Sequence, residues 1–255
     1  MNEETGRLDR GNGIGLAWAR LPGTGPGVVF LGGFRSDMEG TKAIALRDWC
    51  AAQGQAFLRF DYAGHGTSGG RFEDGAIGDW AEDAAALVER LTEGPQVLVG
   101  SSMGGWIALL LARRMPERVH ALVGIAAAPD FTEKLMWPGF TPEHRAILER
   151  DGVLMAPSPY GPPVPLTRRL IEEGRNHLLL DAPIPLDRPV RLLQGMRDAE
   201  VPWHFAPDIA ARVTSEDVRV ILVKDGDHRL SRPQDLALIE AAVAEVSGPP
   251  SGGDG

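Results

Sequence analysis

One serine of the chain stands in a context that suits a nucleophile. Ser102 lies in the segment Gly-Ser-Ser-Met-Gly at residues 100–104, between an apolar run that predicts a strand and another that predicts a helix. A nucleophile at a sharp strand-to-helix turn has a strained backbone, so small residues two positions before and after it avoid collisions. Gly100 and Gly104 meet this need for Ser102, whereas Ser101 has valine and methionine at those positions. A glycine-flanked serine also arises by chance in a chain with 32 glycines, and the strand–turn–helix context is what favours a nucleophile.

A serine hydroxyl needs a base, and the base needs an acid that orients it. His228 follows a predicted strand at residues 218–223, and Asp198 follows a predicted strand at residues 190–193. Because the carboxyl ends of parallel strands meet at one edge of a sheet, we expect both side chains to lie near the serine. The sequence therefore predicts a catalytic triad of serine, histidine and aspartate.

A second aspartate keeps the assignment of the acid open. Asp130 follows the predicted strand at residues 120–125, so its carboxylate also belongs at the carboxyl edge of the sheet. The acid must reach the imidazole from a neighbouring strand end. That requirement favours Asp198 and leaves Asp130 as the alternative.

Two backbone amides are predicted to form an oxyanion hole. The amide of Met103 comes directly after Ser102, at the start of the predicted helix, where free N–H groups point toward the site. The second amide is expected in the loop after the predicted strand at residues 28–32, where paired glycines let the backbone approach a ligand. We assign it to Phe34, with Gly33 as the neighbouring alternative.

These residues need a scaffold, and the sequence predicts one by alternation. Short apolar runs, several of them continuous as in strands covered on both faces, alternate with helical patterns. Such alternation predicts an α/β fold, with a doubly wound, mostly parallel sheet. The predicted strands span residues 15–20, 28–32, 56–61, 96–100, 120–125, 190–193 and 218–223, and the predicted helices span residues 41–53, 77–91, 103–115 and 233–246.

One long segment breaks this alternation. Residues 131–188 contain 9 of the 20 prolines and show helical patterns at residues 142–150 and 166–177, without strand signals between them. We predict a small helical lid inserted into a single domain that spans residues 1–246, and we call residues 131–188 the lid segment. Residues 247–255 are rich in glycine, proline and serine and predict a disordered tail.

Four large apolar residues and one arginine are candidates for a substrate pocket. Met136, Trp137 and Phe140 of the lid segment either pack against the sheet or form an apolar acyl pocket, and Trp203 follows Asp198 closely. Arg35 comes directly after the oxyanion loop. It is either a salt-bridged surface residue or the partner of a substrate carboxylate.

Composition excludes several classes of function. The 35 acidic and 26 basic residues give a formal net charge of −9, which disfavours nucleic acid or an anionic membrane as a partner. The N-terminus lacks a signal-peptide pattern, and no apolar run suits a stable membrane insertion, so we expect a cytoplasmic protein. The single cysteine, Cys50, excludes an intrachain disulfide and is expected to be buried. We predict neither a metal nor a cofactor, and the oligomeric state stays open.

The chain resembles the α/β-hydrolase superfamily from about residue 15 to residue 246. A narrower set of motifs resembles the mitochondrial abhydrolases that act as palmitoyl-protein thioesterases and acyl-glucuronide esterases. These motifs are Gly40-Thr-Lys-Ala, Arg59-Phe-Asp-Tyr, Gly94-Pro-Gln-Val-Leu-Val-Gly-Ser-Ser-Met-Gly-Gly-Trp, Pro183-Ile-Pro, Arg191-Leu-Leu-Gln-Gly-Met-Arg-Asp and Val201-Pro-Trp-His. The resemblance implies hydrolysis of carboxylic esters or acyl thioesters through an acyl-enzyme intermediate. It also maps the nucleophile, acid and base onto Ser102, Asp198 and His228.

The expected substrate is a small molecule or an acylated protein. Two other function classes stay open. The same scaffold supports C–C bond hydrolysis or aminopeptidase activity, and it also supports a binding module without catalysis. The intact set of serine, aspartate and histidine speaks against a binding module, because a receptor has no need for all three.

Overall fold

The computed structural model describes residues 2–11, 13–158 and 161–248. Its main element is a sheet of eight strands, and a separate two-stranded hairpin lies in the lid segment. The strands are β1 (Glu4–Asp9), β2 (Gly15–Leu21), β3 (Thr24–Leu31), β4 (Gln55–Phe60), β5 (Gln96–Ser101), β6 (Val119–Ile125), β7 (Val153–Ser158), β8 (Gly161–Thr167), β9 (Val190–Gly195) and β10 (Val218–Val223).

The large sheet has the strand order β1-β2-β4-β3-β5-β6-β9-β10. β2 runs antiparallel to β1 and β4, and the remaining neighbours are parallel. The predicted strands all appear in it, as β2 to β6, β9 and β10. The doubly wound, mostly parallel sheet predicted from the alternation is confirmed.

Helices cover both faces of the sheet. They are α1 (Thr41–Gln53), α2 (Ile77–Leu91), α3 (Met103–Arg114), the single turn α4 (Trp137–Gly139), α5 (Pro142–Asp151), α6 (Arg168–Gly174), α7 (Phe205–Arg212) and α8 (Pro233–Ser247). α1 and α8 contribute to the apolar cluster on one face, and α2 and α3 contribute to the cluster on the other. Within the described ranges, no helix has the length and apolar character needed to cross a membrane.

The strands supply both clusters because their side chains point alternately to the two faces. In β5, for example, Val97 and Val99 join the cluster of α1 and α8, and Leu98 joins that of α2 and α3. This two-sided burial explains the continuous apolar runs in the sequence.

The lid segment differs from the prediction. It lies between β6 and β9 and contains the predicted helices as α5 and α6, but β7 and β8 form an antiparallel hairpin between them. The prediction of a purely helical lid is therefore wrong. Its error has a physical cause, since prolines hide a strand pattern yet are tolerated in a two-stranded ribbon, where each strand has a free edge.

The two ends of the chain differ from the prediction in smaller ways. β1 pairs with β2 at the edge of the sheet and was not expected from the sequence. Ser247, which begins the predicted tail, is the last residue of α8. The rest of that predicted tail, apart from Gly248, lies outside the described residues. The single domain over residues 1–246 stays a prediction.

Candidate active site

Ser102 occupies the turn between β5 and α3 in a strained conformation. Its φ of 54° and ψ of −118° lie in a region that residues with a side chain rarely adopt. A Cβ at Gly104 would overlap the carbonyl oxygen of Leu31, and a Cβ at Gly100 would overlap the backbone of Gly104. The amide of Ser102 donates to the carbonyl oxygen of Ile125 at 2.9 Å. The two glycines therefore permit the close packing that holds this turn.

The structure brings Ser102, His228 and Asp198 together. His228 Nε2 lies 3.2 Å from Ser102 Oγ, across 126 positions of sequence. On the other side of the ring, His228 Nδ1 lies 2.8 Å from Asp198 Oδ2. A proton on Nδ1 satisfies the carboxylate, and this tautomer leaves Nε2 free to accept the hydroxyl proton of the serine. The geometry is that of a base held between a nucleophile and an orienting acid.

Asp198 is fixed on all sides. Its side chain is fully buried, with Oδ2 accepting from Gln194 Nε2 at 2.9 Å and Oδ1 accepting from the amides of Glu200 and Val201 at 2.8 Å each. Burial by itself would raise the pKa of this carboxyl, but the bonds from His228 and from the two amides outweigh it. The pKa of Asp198 therefore lies below its ordinary value, and the group stays ionised beside the imidazole.

Asp130, the alternative acid, has a different place. Its carboxylate is fully buried and accepts the amides of Leu179 at 2.8 Å and Leu180 at 2.9 Å, both in the lid segment. Burial raises the pKa of Asp130 above its ordinary value, although those two amides act in the opposite direction. Of the two candidate acids, Asp198 is the one within hydrogen-bond distance of His228.

A second carboxylate faces the histidine, and the sequence interpretation missed it. Glu200 Oε2 lies 3.7 Å from His228 Nε2, on the side of the ring that faces Ser102. The Glu200 side chain is 43% exposed, so solvent screens its charge. Its position two residues after Asp198, in the same tight turn, was the signal available in the sequence.

The backbone expected to form the oxyanion hole lies beside Ser102. Met103 is the first residue of α3, where helix N–H groups lack partners within the helix. A Cβ built at Gly33 would lie 3.4 Å from Ser102 Cβ, so the loop after β3 passes close to the serine. The ring of Phe34 packs edge-on against Phe72, with ring centroids 5.0 Å apart. The oxyanion roles of Met103 and Phe34 stay predictions.

A cavity of about 400 Å³ opens beside this loop. Arg35, which has a left-handed φ of 58°, lies in its wall, and its guanidinium carbon is 5.8 Å from the Phe72 ring centroid. The two interpretations of Arg35, a salt-bridged surface residue or the partner of a substrate carboxylate, both stay predictions. The lining residues are Arg35, Gly64, His65, Gly66, Phe72, Glu73, Met155, Pro163 and Pro165.

The other residues predicted for the pocket do not line this cavity. Met136 and Phe140 pack against the large apolar cluster on the α2 and α3 face. Trp137 lies against two guanidinium groups of the lid segment, 4.7 Å and 4.9 Å from its ring centroid. Trp203 is 43% exposed. Contact of these four side chains with substrate stays a prediction.

His65 forms part of the cavity wall and was not expected there. It is buried, with Nδ1 3.2 Å from the carbonyl oxygen of Ala63 and its ring edge-on to Trp80 at 5.0 Å. Burial, assisted by the positive charge of Arg35, lowers the pKa of His65 to about 4, against the effect of the Ala63 carbonyl. The imidazole is therefore neutral at physiological pH.

The remaining reactive groups do not compete with Ser102. Cys50 is buried in α1, and burial raises the pKa of its thiol to about 12, which leaves it unreactive. In the part of the chain that the structure describes, no three histidine, cysteine or acidic side chains are grouped so as to hold a metal ion.

Comparison with known proteins now gives the family. The family model described as serine aminopeptidase, S33 (Hydrolase_4) matches residues 27–157. The mitochondrial palmitoyl-protein thioesterase ABHD10 of Homo sapiens is 42% identical over 241 residues, which cover 94% of this chain and 78% of that protein. The chain belongs to the α/β-hydrolase family of ABHD10. The resemblance seen in the sequence motifs is thereby confirmed.

Two solved structures of α/β hydrolases have the same fold as this chain. The alpha/beta hydrolase domain-containing protein 10 from mouse is 39% identical, with a TM-score of 0.87 over 95% of this chain and 98% of that one. A proposed hydrolase from Agrobacterium vitis S4 is 39% identical, with a TM-score of 0.93 over 97% of this chain and 100% of that one.

These relatives also fix the class of enzyme. The chain is a hydrolase, and the predicted class of carboxylic ester and thioester hydrolases is confirmed at this level. The ABHD10 relatives are named as mitochondrial. The cytoplasmic location expected from the sequence is not confirmed by them and stays a prediction.

Proposed function

We propose that this α/β hydrolase cleaves carboxylic esters or acyl thioesters with Ser102 as nucleophile, His228 as general base and acid, and Asp198 as orienting acid. The observation that carries the proposal is the continuous chain of contacts from Ser102 Oγ to His228 at 3.2 Å and from His228 to Asp198 at 2.8 Å. Such distances are close enough for proton transfer between the serine and the histidine during the reaction.

The first half of the reaction forms an acyl-enzyme. His228 Nε2 takes the hydroxyl proton as Ser102 Oγ attacks the carbonyl carbon of the substrate. The carbonyl oxygen becomes an oxyanion, which the backbone amides of Met103 and Phe34 stabilise by hydrogen bonds that strengthen as charge develops. The tetrahedral intermediate collapses when His228 donates its proton to the leaving alkoxide or thiolate.

The second half releases the acid. Water enters the site, His228 removes one of its protons, and the resulting hydroxide attacks the acyl carbon. Collapse of the second tetrahedral intermediate returns the proton to Ser102 and frees the carboxylic acid. Throughout, Asp198 stays ionised and stabilises the imidazolium that forms twice in each cycle.

We propose that the substrate places its carbonyl carbon at Ser102 and extends from there into the cavity beside Phe34, whose wall does not itself include Ser102 or His228. Phe72, Met155 and the two prolines of the hairpin give it apolar walls, which suit an acyl chain, and Arg35 offers a guanidinium to a carboxylate of the substrate. Because the ABHD10 relatives are named as palmitoyl-protein thioesterases, we propose an acylated protein or an acylated small molecule as the substrate. Water is the sole co-substrate of this mechanism.

The test is a rate profile over matched substrates. The purified chain is assayed with p-nitrophenyl esters of increasing chain length, with the corresponding acyl thioesters, and with amino-acid p-nitroanilides. Esters or thioesters are expected to turn over, and a fluorophosphonate probe is expected to label Ser102. Turnover of the anilides alone would assign an aminopeptidase instead, and failure to hydrolyse every ester and thioester would overturn the proposal.

A further inference from the structure

Lys42 belongs to a sequence motif, Gly40-Thr-Lys-Ala, that the proposed mechanism does not use. It is the second residue of α1, and its side chain is half-buried. Its Nζ donates a hydrogen bond of 2.6 Å to the carbonyl oxygen of Arg229, 187 positions away in the sequence. Arg229 directly follows His228. The ammonium of Lys42 therefore holds the backbone beside the proposed base.

The position of Lys42 breaks two local preferences. A cation in the first turn of a helix faces the positive end of the helix dipole, where an acidic side chain is preferred. An ammonium withdrawn from water also loses hydration, and this burial, assisted by the charge of Arg229, lowers the pKa of Lys42 to about 8 against the pull of Asp227. Because both effects are unfavourable for the helix, the position of Lys42 indicates a role outside the helix.

The turn that carries His228 is shaped locally by its own side chains. Asp227 Oδ1 accepts the amides of Arg229 at 3.1 Å and Leu230 at 3.0 Å, and Ser231 Oγ donates to the Arg229 carbonyl at 2.9 Å. Leu230 is buried and has a left-handed φ of 43°. These bonds fix the shape of the turn, but they do not fix its distance from Ser102.

Ties to other elements flank the histidine on both sides. Before it, the carbonyl oxygen of Gly226 accepts the amide of Arg197 at 2.9 Å, which joins the turn to the loop that bears Asp198. After it, the carbonyl oxygen of Arg229 accepts the ammonium of Lys42. The first hydrogen bond fixes the position of the backbone that precedes His228, near Asp198. The second fixes the position of the backbone that follows His228 and leads to α8.

We infer that Lys42 is a positioning residue for the proposed reaction, one that acts through the Arg229 carbonyl to hold His228 Nε2 within reach of Ser102 Oγ. The inference rests on the proposed function. A displacement of about 1 Å in a reacting group costs on the order of 100-fold in rate. Because Lys42 acts by positioning the proposed base, its loss is expected to lower kcat and to leave KM nearly unchanged.

The charge of Lys42 gives the inference a second readout. A charge-assisted hydrogen bond is stronger than a neutral one, so the tie weakens when the ammonium loses its proton near pH 8. We expect kcat to fall above that pH. The charges that act on Lys42 are those of Arg229 and Asp227 in the turn. Of the elements packed against α1, β4 carries Arg59, which is paired with Glu3 and Glu39, and α8 carries Asp235, Glu240 and Glu245.

The experiment compares Lys42→Met, Lys42→Arg and a matched control, Lys224→Met. Lys224 is exposed directly after β10, so its replacement removes the same charge near the same turn. For each variant kcat and KM are measured with p-nitrophenyl butyrate from pH 6 to pH 10, and folding is followed by thermal unfolding.

Lys42→Met is expected to lower kcat by about 10- to 100-fold with KM within about twofold of wild type. Its melting temperature is expected to match or exceed that of wild type, because a half-buried ammonium is replaced by an apolar chain of similar length. A structural defect would lower kcat and melting temperature together. Lys42→Arg, which stays charged, is expected to recover most of the rate and to keep it above pH 8, and Lys224→Met is expected to behave as wild type.

Wild-type kcat from Lys42→Met, or a wild-type rate that stays flat through pH 8, would overturn the inference. If Lys42→Met does not fold, the inference is tested by comparing the pH profiles of kcat for wild type and Lys42→Arg. Only wild type is expected to lose rate above pH 8, and identical profiles would overturn the inference. Absence of ester and thioester hydrolysis in the wild-type protein would overturn the proposed function itself, so the two failures are distinguishable.

Discussion

The turn that carries Ser102 and the lid segment above it are held in place by different kinds of interaction. The turn depends on backbone packing, since Gly100 and Gly104 lie too close to neighbouring main chain for any side chain. The lid segment is joined to the rest of the domain by side chains instead: its apolar residues pack into the cluster on the α2 and α3 face, and polar contacts add to this, among them Trp106 Nε1 to the His177 carbonyl at 3.0 Å and Arg169 to Asp79 at 2.6 Å.

Two buried aspartates show the same contrast. Asp198 and Asp130 each accept two backbone amides, yet the pKa of Asp198 lies below its ordinary value and that of Asp130 lies above it. The bond from His228 is what distinguishes Asp198. The Asp198 carboxylate thus contacts the imidazole of His228, whereas the Asp130 carboxylate, directly before the lid segment, holds backbone of the lid segment in place.

The largest expected effect on kcat comes from replacing Ser102, in the turn between β5 and α3. Ser102→Ala removes the nucleophile, and we expect kcat to fall by about 10⁵-fold or more, with complete loss of fluorophosphonate labelling. Thermal unfolding of the variant is expected to match wild type. Labelling that persists in this variant would assign the nucleophile to another residue.

The second-largest expected effect is a difference in kcat between variants of the two aspartates. Asp198→Asn leaves His228 with a poor orienting partner, and we expect kcat to fall by about 10⁴-fold. Asp130→Asn is the matched control, and its kcat is expected to stay within about tenfold of wild type, because its carboxylate contacts lid backbone rather than the imidazole. If the loss appears in Asp130→Asn instead, the acid of the triad has been assigned to the wrong residue.

A pair of glycines tests backbone packing in the body against that in the lid segment. Gly104→Ala places a Cβ against the carbonyl oxygen of Leu31, and we expect it to lower the free energy of unfolding by about 3 kcal/mol. Gly139→Ala in α4 meets no atom within 4 Å, so its effect should stay within about 0.5 kcal/mol. Urea denaturation of both variants measures the difference, and equal losses would show that the turn tolerates a side chain.

The smallest expected effect is a difference in pH dependence. Because the folded pKa of Asp198 is lowered below 3.8, its contribution to stability is present above that pH and is lost as the pH falls through the folded value. The folded pKa of Asp130 is raised above 3.8, so its contribution is present below that pH and is lost as the pH rises through the folded value.

Urea unfolding from pH 3 to pH 6 checks these signs. As the pH rises, the stability deficit of Asp198→Asn relative to wild type is expected to widen, and that of Asp130→Asn to narrow. Parallel curves for the two variants would contradict the contrast between the regions.

Most of the scaffold was predictable, because apolar periodicity reports which faces of an element are covered. α2 begins at Ile77 and ends at Leu91, as its 3.6-residue spacing predicts. The lid hairpin was not predictable in this way, because the prolines of β8 hide the alternation. His65, Glu200 and the cavity wall apart from Arg35 were also missed, since the places of these residues depend on contacts between loops.

The sequence by itself determined the alternating scaffold, the glycine-flanked turn at Ser102 and the order of the three proposed catalytic residues. These follow from side-chain periodicity and local steric limits, which act over a few residues. Only the tertiary structure decided that Asp198 rather than Asp130 faces His228, and that Lys42 reaches the Arg229 carbonyl from 187 positions away. The physical reason is that such contacts depend on which distant strand ends and loops come together, and local sequence patterns do not specify these long-range contacts.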